Sequence, residues 1–272
     1  MGNKKRKAFE ELEVTDDYMF KLVMRKYPRL CKTLVETVLN VDIKRLEYLE
    51  TEKAIAPLYD SHGVRFDVYI KDDKQTVYTV EMQVKDYGID ELAKRMRYYQ
   101  SSMDMDSLMI GEKYKNLSKT YIIFFCPFLL LDGKKHLYTF HSWCDEDKMI
   151  KLPDGTTKIL LSSKGVENDV PMRLMDFLNY MNGIKPKGGF VKEIDDAILS
   201  ERQNKGERER YMKLQMKLDE EREEGRNEGL QEGRILEVKA LIKEGLTTLE
   251  AIEASGRYTA EELAEIAEVT KS

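Results

Sequence analysis

Between residues 15 and 40 the apolar positions recur every three or four residues, as on one face of a helix. Thr15 is placed to cap a helix whose first turn carries Asp16 and Asp17, with Phe20, Val23, Met24 and Tyr27 as its apolar stripe. Pro28 opens a second helix bearing Leu30, Leu34, Val35, Val38 and Leu39, expected to end near Asn40. From residue 43 the period changes to two. Strands are predicted over 43–50, in the two halves of "GVRFDVYIKDDKQTVYTVEMQ" (63–83), in "TYIIFFCPF" and "HLYTFHSW", and over 158–163. "IDELAKRMRYYQSSM" (89–103) returns to helical spacing through Leu92, Met96, Tyr99 and Met103, so it predicts a helix crossing over the sheet. A helix over 171–182 closes a body of mixed α/β class, and "GIKPKGG" then marks a domain edge.

The rest of the chain is patterned differently. Residues 201–234 hold 9 basic and 10 acidic residues with a sparse stripe of Tyr211, Leu214 and Leu218, which predicts a charged helical linker. Gly225, Gly229 and Gly233 leave one face of it without side chains, at roughly 1 kcal/mol lost per glycine, which suggests close packing, for example of a second copy in a homo-oligomer. Residues 235–272 carry two capping-box patterns, Thr247 with Glu250 and Thr259 with Glu262, and predict a small helix-turn-helix-like tail. The domain reading is therefore 12–200, 201–234 and 235–272.

Composition adds limits. The 272 residues suffice for a sizeable core, and the formal net charge is -5. Residues 201–272 contribute 13 basic and 18 acidic residues, which leaves residues 1–200 neutral with 32 of each. A neutral body binds phosphate if its cations gather in one cleft. Cys31, Cys126 and Cys144 lack ligand or disulfide spacing, and no apolar run follows the basic "MGNKKRK", so a reducing, cytoplasmic setting is expected. The longest apolar run, 121–131, is too short to span a bilayer, and no membrane partner is expected. His62, His136 and His141 share no zinc spacing with a cysteine; Trp143 is expected in the core or at a strand edge.

The hairpin carries the chemistry. Val64, Phe66, Val68 and Ile70 share one face with Val80, Met82 and Val84, which leaves Asp67, Glu81 and Gln83 on the other, polar face. With a turn centred near Lys74, Asp67 falls opposite Glu81, about 5 Å away. Carboxylates so placed repel unless a cation lies between them, and oxygen donors suit Mg²⁺ or Mn²⁺, with the backbone carbonyl of Met82 as a further ligand. Lys94, Arg95, Arg97 and Gln100 on the crossover helix are suited to holding a phosphate beside it. The plainer alternative is a solvated hairpin face beside a solvated helix face.

Asp67 ahead of a hairpin turn, then Glu81-Met82-Gln83, then "RMRYYQ" resembles the PD-(D/E)XK nuclease superfamily. More narrowly, "TDDYMFK", "RFDVYIKDD" and "YTVEMQ" resemble the Rpn family of recombination-promoting nucleases, over about residues 12–200, and the Gly-punctuated tail is similar too. The resemblance implies a restriction-endonuclease-like core, a mixed sheet flanked by helices, and metal-dependent hydrolysis of DNA. It assigns Asp67 and Glu81 as metal carboxylates and puts Gln83 where the superfamily usually has lysine. Lys85 or Arg95 would then supply the missing charge. Asp17 and Lys21 match the N-terminal "D..FK" element, with Asp17 near the metal or at a helix cap. Asp67→Ala or Glu81→Ala is expected to abolish cleavage without unfolding, both groups being on the polar face. The competing readings are a nuclease fold that binds DNA without cutting it and a self-pairing scaffold.

Overall fold

The computed structural model describes residues 7–55, 63–131 and 133–268, so His62 and the start of the basic leader lie outside it. Two compact units emerge, Met1–Lys205 and Gly206–Ser272.

In the first unit, α1 (Asp17–Lys26) and α2 (Pro28–Leu39) form as their spacing predicts, with Asn40 in the left-handed conformation that stops α2. The residue before α1 is Asp16 rather than Thr15, and its carboxylate is engaged upstream by the Glu13 amide and Lys7. Six strands follow: β1 (Leu46–Ile55), β2 (Val64–Asp72), β3 (Val77–Met82), β4 (Thr120–Cys126), β5 (Leu137–Phe140) and β6 (Thr156–Ser162). They make one mixed sheet in the order β1-β2-β3-β4-β6-β5, parallel at β3–β4 and β4–β6 and antiparallel elsewhere. The parallel step from β3 to β4 requires a crossover, which α3 (Ile89–Ser107) provides. The first strand begins and ends later than its sequence pattern suggests.

The β2–β3 turn is stitched by Asp72, whose buried carboxylate accepts from the Lys74 and Thr76 amides and the Tyr78 hydroxyl. That turn sets the register Val68↔Val80 to Lys71↔Val77. Successive residues of β4 face opposite ways: Phe124 meets Tyr99 of α3 at 5.9 Å between ring centroids, and Phe125 meets Phe177 of α4 (Met172–Met181) at 5.1 Å. Each such phenylalanine stabilises the fold by roughly 2–3 kcal/mol.

Helices therefore cover both faces, and the expected polar face of the hairpin does not exist. Thr79, Glu81 and Gln83 are buried, and Tyr69 joins Phe66 in the core beneath α3. The "GIKPKGG" segment is likewise no domain edge. It leads into α5 (Gly189–Arg202), which packs on α1, α2 and α4 within the same unit.

In the second unit α6 (Lys205–Lys243) runs unbroken through residue 234, so the charged segment and the first tail helix are one element. Its end packs on α7 (Leu249–Ala254) and α8 (Ala260–Ala267) through Ile235, Val238 and Ile266. Thr259 and Glu262 form the expected capping box, whereas Thr248, not Thr247, caps α7. Among the described residues, and apart from the helix's own backbone, no atom lies within 4 Å of where a Cβ would stand on Gly225, Gly229 or Gly233. Among the described residues no helix is long and apolar enough to cross a membrane. Cys31 and Cys126 are core residues, their thiols pushed up to about 12 by burial, and Trp143 is half exposed on an isolated bridge to Lys151.

Candidate active site

Continuing the β2–β3 register by one pair brings Asp67 opposite Glu81, and there the regular ladder stops. Side chains take over its hydrogen bonds. The Asp67 amide donates to Glu81 Oε1 at 2.9 Å, and the Met82 amide donates to Asp67 Oδ2 at 3.1 Å. Each carboxylate is thus clasped to the opposite strand.

The two acids differ in surroundings. Glu81, 1% exposed, also accepts from the Thr79 hydroxyl at 2.9 Å and lies 3.5 Å from both Arg95 and the Tyr99 hydroxyl. Burial, then repulsion by Asp67, pushes its carboxyl up to about 8, against the hydrogen bonds and Arg95. Asp67 is also raised, by burial first, with Lys21 opposing and Asp17 adding to the rise.

Cations from two helices close the site. Lys21 Nζ of α1 lies 3.1 Å from Asp67, 2.8 Å from Asp17 and 3.7 Å from Glu52 of β1. Burial works against its charge, but Asp67 and Asp17 outweigh that and hold the ammonium above its usual range. Arg95 of α3 donates to Gln83 Oε1 at 2.6 Å and to the Tyr99 hydroxyl at 3.0 and 2.7 Å. Gln83 spends its amide on the Lys85 carbonyl.

Asp67, Glu81, Met82, Gln83 and Arg95 therefore converge. Asp17 reaches the cluster only through Lys21, and half of its carboxylate faces solvent. Lys85 lies beyond the end of β3, its ammonium 4.6 Å over the Tyr87 ring, rather than along the same strand face. Gln100 is not brought in: it accepts from Thr120 at 2.9 Å and donates to Asp104 at 2.9 Å, tying α3 to β4. Tyr99 and Lys21 were read as a core residue and as part of a motif; only the fold shows them touching the carboxylates. The motif "TDDYMFK" was the available signal for Lys21.

Among the described residues no three His, Cys, Asp or Glu side chains gather as metal ligands. His136 is committed to the Ser162 carbonyl at 2.8 Å and His141 lies 3.5 Å from that of Thr156. A buried pair of mutually repelling carboxylates is nonetheless a donor set that Mg²⁺ fits, since that ion takes one or two protein carboxylates and fills its other positions with water and phosphate.

Arg95 also lines two clefts. One, of about 600 Å³, is bordered by Arg65, Lys94, Arg97 and Tyr98; the other, of about 220 Å³, lies between the segment after β3 and residues 128–131.

Residues 14–162, which contain every one of these groups, match the family model described as PD-(D/E)XK nuclease family transposase. No curated protein and no solved structure matches the chain.

Proposed function

Because the chain belongs to the PD-(D/E)XK nuclease family transposases, we propose that it is a metal-dependent DNA endonuclease acting in recombination or transposition, as the Rpn-like motifs suggest. The observation that carries this reading is the reciprocal clasp of Asp67 and Glu81, a partly buried and a fully buried carboxylate, at the point where the hairpin ladder opens.

Asp67 and Glu81 would hold Mg²⁺ or Mn²⁺, with the Met82 carbonyl as a further donor. Bound there, the ion would lower the pKa of a water and neutralise charge developing on the phosphate. The protein's own groups do the positioning. Arg95, fixed by Gln83 and Tyr99, lines both clefts and is suited to a phosphate oxygen. Lys21 balances Asp67 before a cation arrives. Gln83 brings no charge, so Arg95 and Lys21 take the place of the superfamily's usual lysine, while the Lys85 ammonium lies over the Tyr87 ring.

One observation favours the competing reading of a DNA-binding protein without cleavage: both ends of the Gln83 amide already hold protein partners, Lys85 and Arg95, which leaves one N–H and one lone pair at most to orient a water. The test is nicking of supercoiled plasmid by the full chain with Mg²⁺, with chelator, and with Asp67→Asn and Glu81→Gln. These isosteres replace alanine because Glu81 is buried, and its deletion would leave the Asp67 amide and the Thr79 hydroxyl without their acceptor. Cleavage lost in chelator and in both variants supports the nuclease; a wild type as inactive as its variants, yet binding DNA, supports the binding protein.

A further inference from the structure

The two clefts that meet at Arg95 differ in charge. The larger sets Arg65, Lys94, Arg95 and Arg97 against one acid, Glu91, and runs along α3. The smaller balances Lys85 and Arg95 against Asp86 and Glu91, over a wall made by Phe128, Leu129 and Leu131. A polyanionic backbone suits the first. It does not suit the second, where two carboxylates meet an apolar wall.

The second cleft has instead the features of a base site. Tyr87 is 58% exposed at its rim, and Leu129 and Leu131 are also half exposed or more, although they border a cleft rather than a core. An exposed aromatic ring with Lys85 over one face offers its other face as a stacking platform for an unpaired base. The acids offer oxygen acceptors to an exocyclic amino group, as on cytosine. A space of about 220 Å³ has room for one base.

From this geometry we infer that the cleft bounded by Tyr87, Leu129 and Leu131 receives one unpaired nucleobase next to the phosphate held at Arg95. The substrate is then DNA with an unpaired nucleotide, single-stranded or extruded from a duplex, rather than intact duplex. This inference rests on the nuclease reading above, and extends it to substrate form.

The test is fluorescence anisotropy of the full chain, in chelator to prevent cutting. The probes are one labelled cytosine-containing strand, its perfect duplex, and that duplex with one unpaired cytosine. The wild type is expected to prefer the first and third. Tyr87→Ala should lower affinity for those two by about tenfold or more, the worth of one base–aromatic stack, and leave the perfect duplex unchanged. Tyr87→Phe should keep the preference, and Arg97→Ala should weaken all three alike. Equal wild-type affinity for the three probes, or a Tyr87→Ala effect of the same size on each, overturns the base site and leaves the nuclease reading standing. No DNA binding in any form overturns both.

Discussion

Lys21 of α1 and Asp67 of β2 meet at 3.1 Å with only 14% of each side chain exposed. The ammonium lies against the carboxylate that raises the proton affinity of Glu81, so it does part of what a bound cation would do.

Removing it exposes the cost of that arrangement. Lys21→Met should destabilise the metal-free protein by about 3 kcal/mol, the usual penalty for leaving one partner of a buried ion pair. Urea melts at neutral pH measure this, and added Mn²⁺ should restore more stability to the variant than it adds to the wild type. A variant melting like the wild type without metal would show that Asp67 needs no partner.

The pH dependence of stability has a definite sign. The Glu81 carboxyl titrates near 8 in the folded chain and near 4.5 when exposed. Its neutral form is therefore favoured by folding: that stability is complete below about pH 4.5 and is lost as pH rises toward 8. Glu81→Gln should remove this loss, making the metal-free variant more stable than the wild type at pH 9 by on the order of a few kcal/mol. Thermal melts across pH 5–9 in chelator would show it; parallel profiles for the two proteins would refute it.

Restoring the superfamily's usual lysine should not help. Gln83 is 6% exposed and its carbonyl oxygen receives Arg95 at 2.6 Å. Gln83→Lys would set an ammonium against that guanidinium, costing about 1–3 kcal/mol. We expect lower stability and no gain in nicking, with the loss relieved in the double variant Gln83→Lys/Arg95→Gln. Increased nicking by the single variant would count against this view of Arg95.

Gln100 offers a control on the same helix. Gln100→Ala should cost about 1 kcal/mol through the lost Thr120 bond and leave DNA cleavage unchanged per folded molecule. Reduced turnover at full folding would place Gln100 in the site after all.

The elements were readable because periodicity follows from local geometry, and the Asp67–Glu81 pairing because a charged turn fixes which residues oppose. What could not be read was what lies over the hairpin. Alternation distinguishes two faces, but it does not say that α3 covers the second, so Glu81 and Gln83 looked solvated when they are buried. Lys21 was visible as a motif residue, yet its contact with Asp67 depends on how α1 packs on β2. The helix α5 escaped notice because it opens on Gly188 and Gly189 with no side-chain cap. The continuity of α6 was obscured by Gly225, Gly229 and Gly233, which weaken a helix without ending it.

β3 is paired on both edges and buried at every one of its positions. Its amides should exchange with solvent deuterium only when the whole first unit opens, among the slowest in the molecule. Glu81, one of the two carboxylates proposed for the metal, therefore sits on the segment that comes apart last, so the site should survive any local fraying that spares the sheet.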